Sequence, residues 1–140
     1  MENSDQSNYS CRKEVKIING EQVMKVVDHY DALESQQFDG DIVKGVTGRI
    51  AIGQADGAPN FCMRIFTITP GGYTPKHLHD WEHEILIHSG SGQVLKSGEW
   101  ADVSTGSVVF VPGNEEHQFR NNSDQDLVFA CLVPKGAPEL

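Results

Sequence analysis

Histidines are concentrated in two short runs of this chain, and imidazole is the commonest metal-donating side chain near neutral pH. His77, His79 and His83 fall within the run PKHLHDWEH, and His117 follows in PGNEEHQF. Residues two apart on a strand point to the same face, so His77 and His79 aim into one space. His83 joins them if a tight turn leads back into a strand. We therefore predict that these four imidazoles bind one divalent metal ion.

The donor type limits the metal without identifying it. Imidazole suits zinc, copper, iron and nickel and tolerates manganese, so the cofactor is expected to be one of these five divalent transition metals. Each ligand must be neutral to bind, so the metal should be lost in acid. The other two histidines, His29 and His88, stand alone in the sequence and are interpreted as surface or packed residues.

Strand parity also predicts part of a substrate pocket around the metal. Ile85 lies two residues beyond His83, and Phe119 lies two beyond His117, so both should face the ion. Trp81, in the turn between the ligands, is expected at the pocket mouth. An apolar lining around a Lewis acid suits a small, partly aromatic or hydrophobic substrate that offers one or two oxygens.

Composition excludes several classes of function. The chain has 140 residues, enough for one domain, and a formal net charge of −9. No basic stripe is present to bind nucleic acid or an anionic membrane surface. No apolar stretch reaches the roughly 18–20 residues that cross a bilayer. The N-terminal residues lack the features of a signal peptide, and three unevenly spaced cysteines fit a reducing compartment, so we expect a cytoplasmic protein.

Short apolar runs separated by turn residues predict an all-β fold with an N-terminal arm. Residues 1–40 are assigned to the arm, where residues 21–34 form either a short amphipathic helix or an irregular segment, and residues 41–136 to a closed barrel or jelly roll. The predicted strands are Ile42–Ile52, Phe61–Thr69, Pro75–His79, His83–His88, Gln93–Lys96, Val108–Val111, His117–Arg120 and Leu127–Val133.

Two motifs give the chain a resemblance to the cupins over roughly residues 42–134. The first consists of Gly71, five residues, and then the pair His77 and His79. The second consists of Gly106, five residues and Pro112, followed by His117 and Asn121.

The sequence departs from the cupin pattern at two positions. Asn114 stands where the second motif has glycine, and asparagine tolerates the left-handed backbone that this turn requires. The usual carboxylate ligand falls either on His83 or on Glu84, and strand alternation favours His83. The chain then resembles the four-histidine subgroup of small single-domain bacterial cupins.

The resemblance implies further features. Phe129 and Cys131, which share parity on the last strand, would line the cavity as well. Cupins of this size generally form homodimers, and the arm together with Ile42–Ile52 would cross to the partner. Arg64 has two interpretations: it holds a substrate carboxylate or, as we favour, forms a salt bridge at the barrel edge or the dimer interface.

The function implied is that of a metal-dependent enzyme acting on a small molecule. An oxygen-using, dioxygenase-type cleavage of a chelated substrate is the first expectation. A non-redox lyase, cyclase or isomerase is the alternative, and a cupin that binds metal or a small molecule without catalysis is another. The preference for the first rests on the resemblance alone.

Overall fold

The computed structural model describes residues 17–18 and 21–140 and contains no α-helix within them. Single turns of 3₁₀-helix occur at Tyr30–Ala32 and Gln54–Asp56. The strands are β1 (Ile17–Ile18), β2 (Glu21–Gln22), β3 (Gln36–Phe38), β4 (Lys44–Ile52), β5 (Phe61–Tyr73), β6 (His83–Ser89), β7 (Ser91–Lys96), β8 (Glu99–Ser104), β9 (Val108–Val111), β10 (Phe119–Arg120) and β11 (Leu127–Pro134). The all-β prediction is confirmed.

Strands β3 to β11 form one antiparallel sheet that curls around the core, and β1 and β2 pair separately. The main order is β8-β7-β10-β5-β11-β6-β9, and β4 pairs with both β5 and β3. The long strand β5 thus borders three others, β4, β10 and β11. The core consists of apolar side chains from the concave face, including Val46, Ile68, Ile87, Val94, Val103, Leu127 and Val133.

Two glycines near the end of β5 allow the chain to leave this sheet towards the histidines. Gly71 has a φ of 83°, which favours glycine, and its N–H donates to the carbonyl oxygen of Asn121 over 2.9 Å. A Cβ on Gly72 would lie 2.5 Å from the carbonyl oxygen of Lys44. Both positions therefore require glycine, and the bend directs the following residues towards His77.

The structure corrects two strand assignments. Pro75–His79 is not a strand; it is an extended segment with one isolated bridge, between His77 and His117. Strand β8 was missed because its residues lie in SGEWADVSTG, which is rich in turn formers. Ser97 and Gly98, with φ values of 52° and 79°, form a two-residue turn between β7 and β8.

The N-terminal region differs from one of its two predicted forms. Residues 21–34 are not an amphipathic helix; apart from β2 and the 3₁₀ turn they are irregular, and Met24 and Val26 are largely exposed. The β-branched pair Val26 and Val27 disfavours a helix there. Strand β3, in the region assigned to the arm, pairs with β4, and Ala137 packs in the core. No helix among the described residues is long and apolar enough to span a membrane.

Candidate metal centre

The structure brings the four predicted histidines together beside one cavity. Nitrogen atoms of His77, His79 and His117 all lie within 4.8 Å of one another. The Nε2 atoms of His79 and His83 are 3.1 Å apart, and the His83 ring lies 5.0 Å from that of His117, measured between centroids. His83 and His117 are buried, His79 is half-buried and His77 is exposed.

Local structure explains why each side chain points to the cluster. The backbones of His77 and His117 exchange two hydrogen bonds, of 3.2 and 3.0 Å, which place their rings side by side. His83 begins β6, whose side chains alternate regularly between buried and exposed. The loop before His117 holds the turn Asp80–Trp81 in place, because the N–H of Asn114 donates to the carbonyl oxygen of His79 over 2.6 Å.

The turn of the second motif depends on two unusual backbone positions. Asn114 has a φ of 67°, so asparagine does occupy the left-handed region where the motif has glycine. A Cβ on Gly113 would lie 2.9 Å from the carbonyl oxygen of Asp80. The loop before His117 is therefore packed directly against the loop after His79.

A hydrogen bond orients one of the rings, and stacking orients another. Nδ1 of His117 donates to the carbonyl oxygen of Glu115 over 2.9 Å, which leaves the lone pair on Nε2. The His79 ring stacks on Trp81, with centroids 4.1 Å apart and planes 7° from parallel. The nitrogen of His79 that approaches His83 is Nε2, so Nε2 is the atom that this ring would offer to a metal.

Burial and neighbouring positive charge favour the neutral form of three of these imidazoles, those of His77, His79 and His83. Burial, followed by the positive charge of Arg64, lowers the pKa of His83 to about 2. Burial and the neighbouring His117 lower the pKa of His77 to about 4, and the same two causes lower the pKa of His79. Neutral imidazoles are the form that binds metal.

The arrangement fits a transition metal on geometric grounds. Two nitrogens bound about 2.1 Å from one ion, at angles between square and tetrahedral, lie roughly 3.0–3.4 Å apart. The 3.1 Å between the Nε2 atoms of His79 and His83 falls in that range. Without an ion, two lone pairs at this distance repel each other unless one nitrogen carries a proton.

All five side chains predicted to form the substrate pocket line a cavity of about 390 Å³ beside the histidines: Trp81, Ile85, Phe119, Phe129 and Cys131. The rings of Phe119 and Phe129 stack with centroids 4.7 Å apart. Further lining side chains were not predicted: Phe38, Val43, Val46, Phe66, Thr74, Pro75, Pro138 and Leu140. Pro138 and Leu140 carry no sequence signal, because their segment reaches the cavity only through the tertiary fold.

Arg64 does not lie where the favoured interpretation placed it. It is 8% exposed, inside the barrel rather than at an edge, and lines the cavity. Its Nη2 lies 2.9 Å from Cys131 Sγ and 3.3 Å from His83 Nδ1. The salt-bridge interpretation is wrong for the described residues, whose ion pairs lie elsewhere.

The carboxylates nearest in sequence do not join the cluster. Glu82 and Glu84 are both exposed, and Glu84 occupies the face of β6 opposite to His83. A hydrogen bond between the two side chains raises the pKa of Glu82. Of the two candidates for the fourth ligand, His83 is the residue that faces the cavity.

A match to the family model for the cupin domain covers residues 64–133. This protein belongs to the cupin family. The match spans β5 to β11 and includes all four histidines, and the predicted cupin jelly roll is thereby confirmed. It does not distinguish the four-histidine subgroup, which stays a prediction.

Similar proteins include enzymes. The polyketide cyclase RemF from Streptomyces resistomycificus superposes with a TM-score of 0.74 and 32% identity, over 80% of each chain. A cupin 2 conserved barrel domain protein from Rhodopseudomonas palustris gives 0.66 and 31%, over 74% of this cupin and 71% of that chain. The 1-methylthio-D-xylulose 5-phosphate methylsulfurylase of Rhodospirillum rubrum is 32% identical over 71 residues, 51% of this chain. That match spans 46% of the methylsulfurylase, about half its length.

Proposed function

We propose that this cupin is a metal-dependent enzyme whose small hydrophobic or aromatic substrate binds to a divalent transition metal held by His77, His79, His83 and His117. The observation that carries the proposal is the convergence of these imidazoles on an aromatic-lined cavity. His83 is included because its Nε2 approaches that of His79 and because Glu84 points away.

A metal held there would supply Lewis-acid polarisation of a carbonyl or enolate oxygen on the substrate. The side chains of the cavity would orient the substrate and enclose it. Phe119 and Phe129 hold an apolar body and exclude water, and Trp81 fixes the His79 ring. Among the described residues no Asp or Glu lines the cavity, so proton transfer by a protein carboxylate is not a feature of this proposal.

For the reaction class we place non-redox chemistry, of the cyclase, lyase or isomerase type, ahead of oxygen use. The support is the similarity to the polyketide cyclase, which extends over 80% of both chains. Oxygen-using cleavage is the second candidate, because an all-imidazole site suits iron and copper as well as zinc.

Metal content tests the site first. The wild-type chain purified without chelator, the double variant His79→Ala/His117→Ala, and the control His88→Ala are compared by elemental mass spectrometry. We expect about one ion per chain in the wild type and the control, and loss of that ion in the double variant. An unchanged metal content in the double variant would contradict the proposal.

Reaction class is tested on the metal-loaded protein. Zinc-, iron- and manganese-loaded samples are incubated with a panel of phenols, diketones and aromatic polycarbonyl compounds, with product analysis and an oxygen electrode. Turnover by the zinc form without oxygen uptake supports the non-redox proposal. Turnover confined to the iron or manganese form, with stoichiometric oxygen uptake, supports the second candidate. The absence of any turnover would indicate a cupin that binds without catalysis.

We also propose a homodimer. Leu86 on β6 and Val108 on β9 are paired in register, point outwards and are 51% and 78% exposed, and Phe110 beside them is 59% exposed. Strand β9 ends the main strand order, so this apolar face lies at a sheet edge, where a second copy would cover it. Light scattering should show a dimer that Val108→Glu dissociates and that the exposed control Asn122→Glu does not.

A further inference from the structure

Arg64 is a buried cation, and among the described residues none of the groups that its guanidinium contacts carries a negative charge. Its guanidinium contacts the thiol of Cys131, Nδ1 of His83 and, over 3.3 Å, the backbone carbonyl oxygen of Glu139. The carboxylate of Glu139 is directed elsewhere, since it accepts from the N–H of Gln54 over 2.8 Å. None of these contacts balances the charge of the guanidinium, which cannot lose its proton in a protein.

No other group in the described part of the chain supplies the missing charge. The ion pairs of that part are Lys25 with Asp56 and His29 with Asp31, and neither involves Arg64. The Nε of Arg64 is buried and has no hydrogen-bond partner there. A buried charge without a counter-charge is costly, and a structural role at this position would be met by an uncharged side chain of similar volume.

Arg64 lies next to the candidate metal centre. It pairs in register with Cys131 across β5 and β11, and it reaches Nδ1 of His83 from the side remote from the Nε2 that faces His79. Its Cζ lies 5.0 Å from the centre of the Phe66 ring, which also lines the cavity. One molecule in this cavity would therefore meet an aromatic wall and a cation as well as the histidine cluster.

We propose that Arg64 binds a carboxylate of the substrate, so that the substrates are small aromatic or hydrophobic acids. The inference rests on the proposed function for its metal-binding end. The carboxylate supplies a counter-charge that the described residues do not provide, and the planar guanidinium suits a bidentate pairing with it. Neutral analogues of the same shape would leave the cation unpaired and should bind less well.

The experiment compares 2-naphthoate with 2-naphthamide, which have the same ring system and differ in charge. Calorimetric titrations use the metal-free full chain as wild type, Arg64→Met and Arg64→Lys. Arg120→Met is the control, because Arg120 stacks on Trp100 and bonds to Gln93 outside the cavity. We expect the wild type and the control to prefer the carboxylate by at least about tenfold. Arg64→Met should lose that preference, and Arg64→Lys should keep part of it.

Three outcomes would overturn the inference: equal binding of the two compounds to the wild type, a preference that survives in Arg64→Met, or no binding of either at millimolar concentration. If Arg64→Met does not fold, Arg64→Gln takes its place, with circular dichroism as the check. Because the titrations use metal-free protein, they test the carboxylate preference separately from the metal. A protein that prefers the carboxylate but shows no metal binding or turnover would contradict the proposed function and leave this inference standing.

Discussion

Nδ1 of His117 donates a hydrogen bond to the backbone carbonyl oxygen of Glu115, over 2.9 Å. Since a carbonyl oxygen can only accept, the proton must sit on Nδ1, and the lone pair of His117 is on Nε2. His83 differs, because its Nδ1 lies 3.2 Å from the thiol of Cys131, which can donate or accept, and 3.3 Å from Nη2 of Arg64, which can only donate. For His83 to bind metal through Nε2, its Nδ1 must donate to that sulfur rather than accept from Arg64.

The first prediction separates the two candidates for the fourth ligand. Replacing His83 by alanine should weaken metal affinity by about 100-fold or more, because a ligand facing the cluster is lost. Its neighbour Glu84 is exposed on the opposite face, so Glu84→Gln serves as the matched control and should bind metal like the wild type. Competition titration with a chromogenic chelator measures both. Equal affinities for the two variants would exclude His83 from the ligand set.

A second prediction concerns the acid stability of the metal-free protein. In the unfolded chain a histidine takes up its proton near pH 6.5, whereas the folded pKa values of His77 and His83 are lowered to about 4 and about 2. The unfolded state therefore binds more protons as the pH falls below 6.5, and the free energy of unfolding should decrease. Urea titrations at pH 7.5 and 5.0 measure it, with the change expected to be smaller in His83→Leu.

The exposed His88 provides the control for this experiment. His88→Leu should retain the same loss of stability between pH 7.5 and 5.0 as the wild type. A His83→Leu variant that lost stability as steeply as the wild type would show that His83 contributes nothing to the acid sensitivity.

The third prediction concerns Glu139, whose contribution to stability should fall as the pH rises. Burial raises the pKa of Glu139 from 4.5 to about 7, and the carboxylate accepts a hydrogen bond from the Gln54 backbone. Because the folded state holds the Glu139 proton more tightly than the unfolded chain does, the contribution of Glu139 to the free energy of unfolding is fully present below pH 4.5 and is lost as the pH rises through 7. Glu139→Gln should thus gain stability relative to the wild type when the pH is raised from 5 to 8. A wild-type-minus-variant difference that stays constant between these pH values would argue against it.

The fourth prediction tests the packing of the two motif loops. A Cβ at position 113 would lie 2.9 Å from the carbonyl oxygen of Asp80, so Gly113→Ala should force the loop after His79 to move. We expect a loss of about 1–3 kcal/mol in stability, the usual range for overpacking, together with weaker metal binding. Gly40→Ala is the control, since its Cβ would meet nothing within 4 Å. Thermal unfolding and chelator competition measure the two effects.

Much of this centre could be predicted because it follows from alternation along strands. His83, Ile85 and Ile87 are buried while the residues between them are exposed, as a period of two requires. The tolerance of Asn114 for a left-handed backbone is likewise a property of one residue type. Features of this kind are local, so a single sequence contains them.

The features that were missed depend on contacts distant in sequence. The sequence of β8 predicts a loop because its exposed residues, such as Asp102, are typical of turns, and its pairing with β7 is what makes it a strand. The sequence places Arg64 at an edge because a lone charge in a strand usually reaches water. Its burial beside Cys131 depends on a strand pairing, β5 with β11, that no local pattern specifies.

The parallel stacking of Trp81 on His79 has a practical consequence for identifying the native metal. The chain has one other tryptophan, Trp100, which lies 3.8 Å from the Arg120 guanidinium instead. An ion with unpaired electrons bound by His79 would quench the ultraviolet emission of Trp81, while zinc would leave it bright. The intensity of the tryptophan fluorescence would then distinguish ions with unpaired electrons from zinc during purification.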